Sequence, residues 1–212
     1  MFDTIYIYAF YAEYDKTGIT EFLNRMAAKG WILSSKKGIL YKFAKTDKPY
    51  FRYDITYFAD ADETNNYYIV GSMDYYEMRK AGGWQFLTND RKMQIFISEN
   101  PDTMPLDTDP LTQVQVIHQS AIGLIGLQVF IGASQIIKNI HPSEYHPLTD
   151  LLLLICGICF MADGLFYCLW YRKALKQAKE YNSFYETGTN ILMKYVMPIS
   201  LLGAIIALFK GW

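Results

Sequence analysis

Apolar and polar residues alternate in the first half of the chain and give way to long apolar runs in the second. "TIYIYAF" (4–10) keeps a two-residue period and predicts a strand. Asp15 and Thr17 supply helix-start chemistry before "ITEFLNRMAAK", where Ile19, Phe22, Leu23 and Met26 share one helical face. Gly30 ends that helix. "WILSS", a "KKG" turn and "ILYKFAK" then predict a hairpin. The order recurs: "YFRYDITYF" (50–58) alternates Phe51, Tyr53, Ile55 and Tyr57 with Arg52, Asp54 and Thr56. A polar link, "ADADETNN", leads to "SMDYYEMRKAGG", where Ser72 can cap a helix and the glycines end it. "WQFLT", "NDR" and "KMQIFIS" complete a second hairpin.

The two halves share a phrase. "GWILSSKKGILYKF" (30–43) and "GWQFLTNDRKMQIF" (83–96) align at an offset of 53 residues, and Gly18 and Gly71 precede the two helices at the same offset. The expected fold class is α+β: duplicated βαββ units form one antiparallel sheet with two helices on one face. A single unit of this kind cannot cover its own sheet, so the second completes the first. A pseudo-twofold axis should relate them.

Beyond residue 120 the pattern changes. "AIGLIGLQVFIGASQII" (121–137), "LLLLICGICFMADGLFYCLW" (151–170) and "ILMKYVMPISLLGAIIALF" (191–209) each have about the 17–25 residues that a helix needs to cross a bilayer. The predicted organisation is a soluble duplicated domain over 1–98, a proline-containing linker over 99–119 and three transmembrane helices within 120–212. Their bounds are about 120–138, 148–171 and 191–209. The start has no basic region or small-residue cleavage site, so no signal peptide is expected. Arg172, Lys173, Lys176 and Lys179 follow the second run, against Lys138 alone in the preceding loop. A multi-pass protein of the cell membrane follows, with its N-terminal domain cytoplasmic and its C-terminus outside.

Charge is divided in the same way. Residues 1–110 hold 13 of the 20 Lys and Arg and 16 of the 21 Asp and Glu, and the net charge of −1 gives no basic face for nucleic acid. Cys156, Cys159 and Cys168 all lie in the second apolar run and are expected to pack there, without redox or zinc chemistry. His118 is separated from His141 and His146 by the first crossing, so no metal set is expected. Phosphate-binding loops, dinucleotide fingerprints and nucleophile elbows are absent from the sequence, and no cofactor or catalytic set is expected. Asp163 stands out. A carboxylate inside a membrane run costs about 2.5–3.5 kcal/mol and calls for a partner. Gln128, Ser134, Gln135, Ser200, Arg172 and Lys173 are candidates. Gly123, Gly126, Gly132 and Ala133 on the first run allow close helix contact, as do Gly203 and Ala204 on the third.

"FLNRMAAKGWIL", "LYKF", "YFRYDITYF", "AGGWQF", "MQIF" and "PLDTDP" together resemble the bacterial family known as domain of unknown function 2812, over roughly residues 1–115. The resemblance implies a membrane protein of Gram-positive bacteria, often encoded near transcriptional regulators, and brings no catalytic residues. Trp31 and Trp84 each follow a helix-ending glycine, where a large ring pins helix to sheet. The sharper expectation gathers Trp31, Tyr41, Phe43, Tyr53, Trp84, Phe86 and Phe96 around a cleft between the halves. The expected protein is non-enzymatic, regulatory or sensory, and anchored in the bilayer. Its cytoplasmic domain would bind a small hydrophobic ligand or a protein. The alternative is an accessory subunit of a membrane complex such as a transporter, or a self-associating anchor.

Overall fold

A computed structural model describes residues 3–48, 52–58, 73–106, 109–140, 147–185 and 198–199. Strand β1 (Thr4–Tyr8), helix α1 (Lys16–Ala27) and strands β2 (Trp31–Lys37) and β3 (Leu40–Lys45) form the first unit. The second repeats it as β4 (Arg52–Tyr57), α2 (Met73–Ala81), β5 (Gln85–Asp90) and β6 (Met93–Ser98). Two long helices follow, α3 (Pro110–Ile140) and α4 (Pro147–Tyr181).

The repeat reaches the backbone. Gly30 and Gly83 both take positive φ (78° and 87°) after their helices, and the bulges at Leu33/Ser35 and Phe86/Thr88 are also 53 residues apart. Both hairpins close through two-residue turns whose first residue has positive φ: Gly38 at 55° and Arg91 at 53°. Asp15 caps α1 by accepting from the Gly18 amide at 2.9 Å. A Cβ on Gly18 would lie within 2.4–2.8 Å of that carboxylate, so the cap requires the glycine.

The single sheet expected from the pattern is instead two antiparallel three-stranded sheets, ordered β1-β3-β2 and β4-β6-β5. The strands β2 and β5 lie next to each other without forming a ladder. Each of the two carries a bulge in the register with its own hairpin partner, which bends the strand locally. At the β2 bulge the Leu33 amide finds the Tyr53 hydroxyl at 3.1 Å. The helices do not share one face either. On α1, Ile19, Leu23 and Met26 join Leu33, Tyr41 and Phe43 of the first sheet. Tyr53, Ile55 and Tyr57 on β4 with Met93, Ile95 and Ile97 on β6 complete this shared core. Tyr75 and Tyr76 of α2 instead pack with Trp84, Phe86 and Phe96, on the opposite face of β6. The second sheet is therefore buried on both faces, and β6 ("MQIFIS") is buried at all six positions. The first sheet is one-sided, leaving Tyr6 and Tyr8 exposed.

Residues 99–106 of the predicted linker are pinned across the second sheet. Arg52 donates to the Thr103 carbonyl (2.6 Å), the Trp84 indole to the Met104 carbonyl (2.8 Å) and the Leu106 amide to Asp54 (2.8 Å). From Pro110 the chain is already helical. The Asp109 carboxylate accepts the Thr112 amide at 2.8 Å and the Thr112 hydroxyl at 2.6 Å, and Pro110 fits the first helical position. These bonds hold the Asp109 carboxyl below its ordinary range.

The helix pair is rooted in the core of the duplicated domain. Val114, Val116, Ile117 and Ala121 of α3 and Tyr167, Trp170, Ala174 and Ala178 of α4 are buried in the shared cluster. His118 joins the two helices, bonding Tyr167 at 2.7 Å and stacking on Tyr171 at 4.1 Å. Beyond this root both helices are long and apolar enough to cross a membrane. Leu127 and Phe130 on α3 and Ile158 and Leu165 on α4 stand exposed there. The segment 122–140 is about 28 Å long at 1.5 Å per residue, close to the hydrocarbon thickness of a bilayer. The third apolar run lies almost wholly outside the described residues, although the Ile199 carbonyl accepts from Cys156 at 3.4 Å.

Gly132 and Gly157 bring the helices together. A Cβ on Gly132 would fall 2.8 Å from the Gly157 carbonyl, and one on Gly157 would fall 3.0 Å from the Gly132 carbonyl. Gly123 and Gly126 meet nothing within 4 Å. We expect Gly157→Leu to destabilise the full-length protein by about 1–3 kcal/mol through overpacking against backbone, and Gly123→Leu to change little. Thermal unfolding in detergent reads the contrast, and equal losses would contradict the crossing.

Candidate functional site

Where the helix pair enters the duplicated domain, the two hairpin tips meet the loop between β1 and α1. Together they line a half-open cavity of about 170 Å³. Tyr11, Glu13 and Tyr14 come from the loop, Lys36, Gly38, Asp90 and Arg91 from the tips, Ala121, Leu124 and Gln128 from α3, and Asp163 from α4. The two tips are equivalent in the repeat, with Gly38 and Arg91 opening their turns 53 residues apart, and a Lys36–Asp90 ion pair joins them.

Asp90 locks the tips together. Its carboxylate pairs with the Lys36 ammonium and accepts the Gly38 amide at 3.1 Å. Arg91 pairs with Glu13 at 3.4 Å, and the Ser120 hydroxyl of α3 donates to the same carboxylate. Arg91 holds a backbone conformation that costs a side-chain-bearing residue about 1–2 kcal/mol and that Gly38 adopts freely. The strain places a guanidinium at the cavity wall.

Burial raises the Glu13 carboxyl above its usual pKa of 4.5, while Ser120 and then Arg91 pull it back only in part. A raised acid binds its proton more tightly in the folded state. Stability is therefore greatest below the unfolded pKa and declines as pH rises through the folded one. We expect that decline to begin near pH 4.5 and to flatten in Glu13→Gln, as read by unfolding midpoints across pH. A wild-type profile unchanged by the substitution would refute the assignment.

Asp163 is differently placed. It is 1 % exposed, and neither carboxylate oxygen has a hydrogen-bond partner among the described residues. The Gln128 Oε1 and the Tyr14 hydroxyl are also buried without partners among the described residues. Burial first, then the negative charges of Asp163 and Asp15, push the Tyr14 phenol well up. The Tyr14 ring stacks on Trp170 at 4.6 Å and lies 5.8 Å from Tyr167. The cavity thus holds two closed ion pairs and one carboxylate left over.

Of the residues expected from sequence, Asp163 and Gln128 reach this cavity together without bonding one another. The seven aromatics do not line one cleft. Tyr41, Phe43 and Tyr53 are core residues at 0–1 % exposure, with Trp31 packed at their margin. Trp84, Phe86 and Phe96 form the separate cluster under α2. Trp84 and Phe86 also border a shallow open depression of about 590 Å³ with Tyr76, Lys80 and Glu99. Glu13, Tyr14, Lys36 and Arg91 were missed. Only Arg91 left a signal, as the residue standing where the first repeat has Gly38. Among the described residues, no group of three or more His, Cys, Asp or Glu could hold a metal ion.

A family model described as "Protein of unknown function (DUF2812)" matches residues 15–125, a stretch that ends within the root of α3. No curated protein and no solved structure matches the chain at a significant level.

Proposed function

The chain belongs to the DUF2812 family, and on the geometry of the junction we propose that it is a non-enzymatic, membrane-anchored sensory or regulatory protein. Its duplicated domain binds a small ligand where that domain meets the membrane helices. The observation that carries this reading is the cavity in which Asp163, Gln128 and Tyr14 present buried polar atoms without partners among the described residues, one group being a carboxylate. Native interiors rarely leave such groups unsatisfied, and unpaired ones concentrate where something else binds. A ligand there touches both repeats and both helices. Differential binding to two arrangements of the tips would therefore move the helix pair.

Membrane orientation belongs to the same proposal. Arg172, Lys173, Lys176 and Lys179 lie on α4 beyond the start of its root in the soluble domain, which favours a cytoplasmic position for that domain. A third crossing by the run at 191–209 would leave the C-terminus outside.

The test is purification of the full-length protein from its native membrane in mild detergent, followed by native mass spectrometry. We expect a small molecule at stoichiometric occupancy, displaced in Ala121→Phe, whose ring fills the cavity from α3. A wild-type protein that carries no small molecule would count against the reading. The accessory-subunit alternative rests on Gly123 and Gly126, which meet nothing within 4 Å on α3 and are flanked by exposed Leu127 and Phe130. It predicts a membrane-protein partner in the same preparation that is lost on Gly126→Leu.

A further inference from the structure

We propose that the ligand of the junction cavity is a small ammonium cation, with its charged end held by Asp163 and the Gln128 side-chain carbonyl. The inference rests on the ligand-binding reading above and adds the chemical class. Three carboxylates and two cations line the cavity. Asp90 is closed by Lys36 and Glu13 by Arg91, so among the described residues Asp163 is the carboxylate of this cavity without a counter-charge. A carboxylate so buried is costly to leave unpaired, and a cation offering hydrogen bonds removes that cost.

The other unpartnered atoms fit the same class. Gln128 Oε1 can only accept a hydrogen bond, and the Tyr14 hydroxyl can accept one too. An alkylammonium has three N–H donors to distribute among such acceptors. An anion would meet the uncompensated negative charge, and a neutral molecule would leave it in place. A lone metal ion would be far smaller than the cavity. An apolar cavity of about 150 Å³ accommodates benzene, so the enclosed part of the ligand should have roughly six heavy atoms. Ala121, Leu124 and Ile125 offer its tail an apolar wall. Leu124 is also 44 % exposed on the side of α3 bearing the apolar belt. The ammonium could thus come from a free amine or from an ethanolamine lipid headgroup at the interface.

The test uses full-length protein in phosphatidylglycerol nanodiscs, titrated with n-pentylammonium or with 1-pentanol, its neutral counterpart. A second set of nanodiscs has phosphatidylethanolamine replacing half the lipid. We expect the ammonium to raise Tm by about 5 °C or more at a hundredfold excess over its Kd. Asp163→Asn should abolish this shift while keeping the helical circular dichroism of wild type, and Asp163→Glu should retain part of it. A shift with n-pentylammonium in phosphatidylglycerol identifies a free amine. A shift confined to the ethanolamine nanodiscs identifies the lipid; either supports the cation class. Equal shifts with 1-pentanol, or shifts unchanged in Asp163→Asn, overturn it. A native preparation carrying a neutral or anionic molecule displaced by Ala121→Phe would also overturn the cation class while sparing the ligand-binding reading. No bound molecule and no shift with any probe would remove both.

Discussion

Asp54→Ala is expected to cost about 3–5 kcal/mol, lowering Tm by about 10 °C, the largest loss we anticipate from one side chain. Asp54 is 6 % exposed and serves three partners: the Leu106 amide at 2.8 Å, the Ile55 amide at 2.7 Å and the Lys16 ammonium at 2.9 Å. Alanine removes all three acceptor contacts. It leaves a buried amide without a partner and a partly buried ammonium without its counter-ion. The damage should spread along the chain, because Leu106 is the last pinned residue described before the α3 cap, and it packs on Trp84 and Phe96. Asp54→Asn keeps an acceptor for Leu106 but loses the charge, and should cost less than half as much. Hydrogen exchange at the Leu106 amide distinguishes local release from global softening. If Asp54→Ala unfolded within 1 kcal/mol of wild type, the strap would have to be held by the other two bonds alone.

That strap also marks where the sequence was hard to read. "ENPDTMPL" has the composition of a linker, yet it is held by Arg52 and Asp54 on β4 and by Trp84 just before β5, none of them its neighbours in the chain. The repeat was legible because it is local chemistry. Gly30 and Gly83 end helices, the turns fall at one offset, and the bulges preserve that offset even where residues differ. The division into two sheets was not legible, because it depends on whether β2 and β5 pair with each other, a contact between the two units that no local pattern encodes. Nor did the aromatic residues announce their split. Phe43 and Phe96 occupy equivalent positions, but α1 lies in the shared core and α2 outside it. The cavity was half legible. Asp163 was conspicuous as an acid among apolar residues, whereas Glu13 and Arg91 look like ordinary surface charges until folding brings residues 78 apart to 3.4 Å.

Asp163→Leu should act in the opposite direction to Asp54→Ala. Both residues are buried carboxylates, but Asp54 has three partners and Asp163 has none among the described residues. Leucine is nearly isosteric and removes an uncompensated polar group, so ligand-free protein should gain about 2 kcal/mol. In α4, Asp163 lies just one helical turn from Tyr167, where the helix enters the core of the duplicated domain. It thus sits near one end of the apolar stretch of α4 rather than at its centre, which keeps the expected gain below the full mid-membrane cost. The informative comparison is between ligand-free protein in detergent and protein kept in native membrane. A ligand that pairs with Asp163 stabilises wild type but not the leucine variant, so the gain seen in detergent should shrink or reverse in the membrane. A gain of equal size in both settings would mean that nothing in the membrane pairs with this acid. A loss in both would mean that Asp163 bonds a partner outside the described residues, with a structural rather than a ligand-binding role.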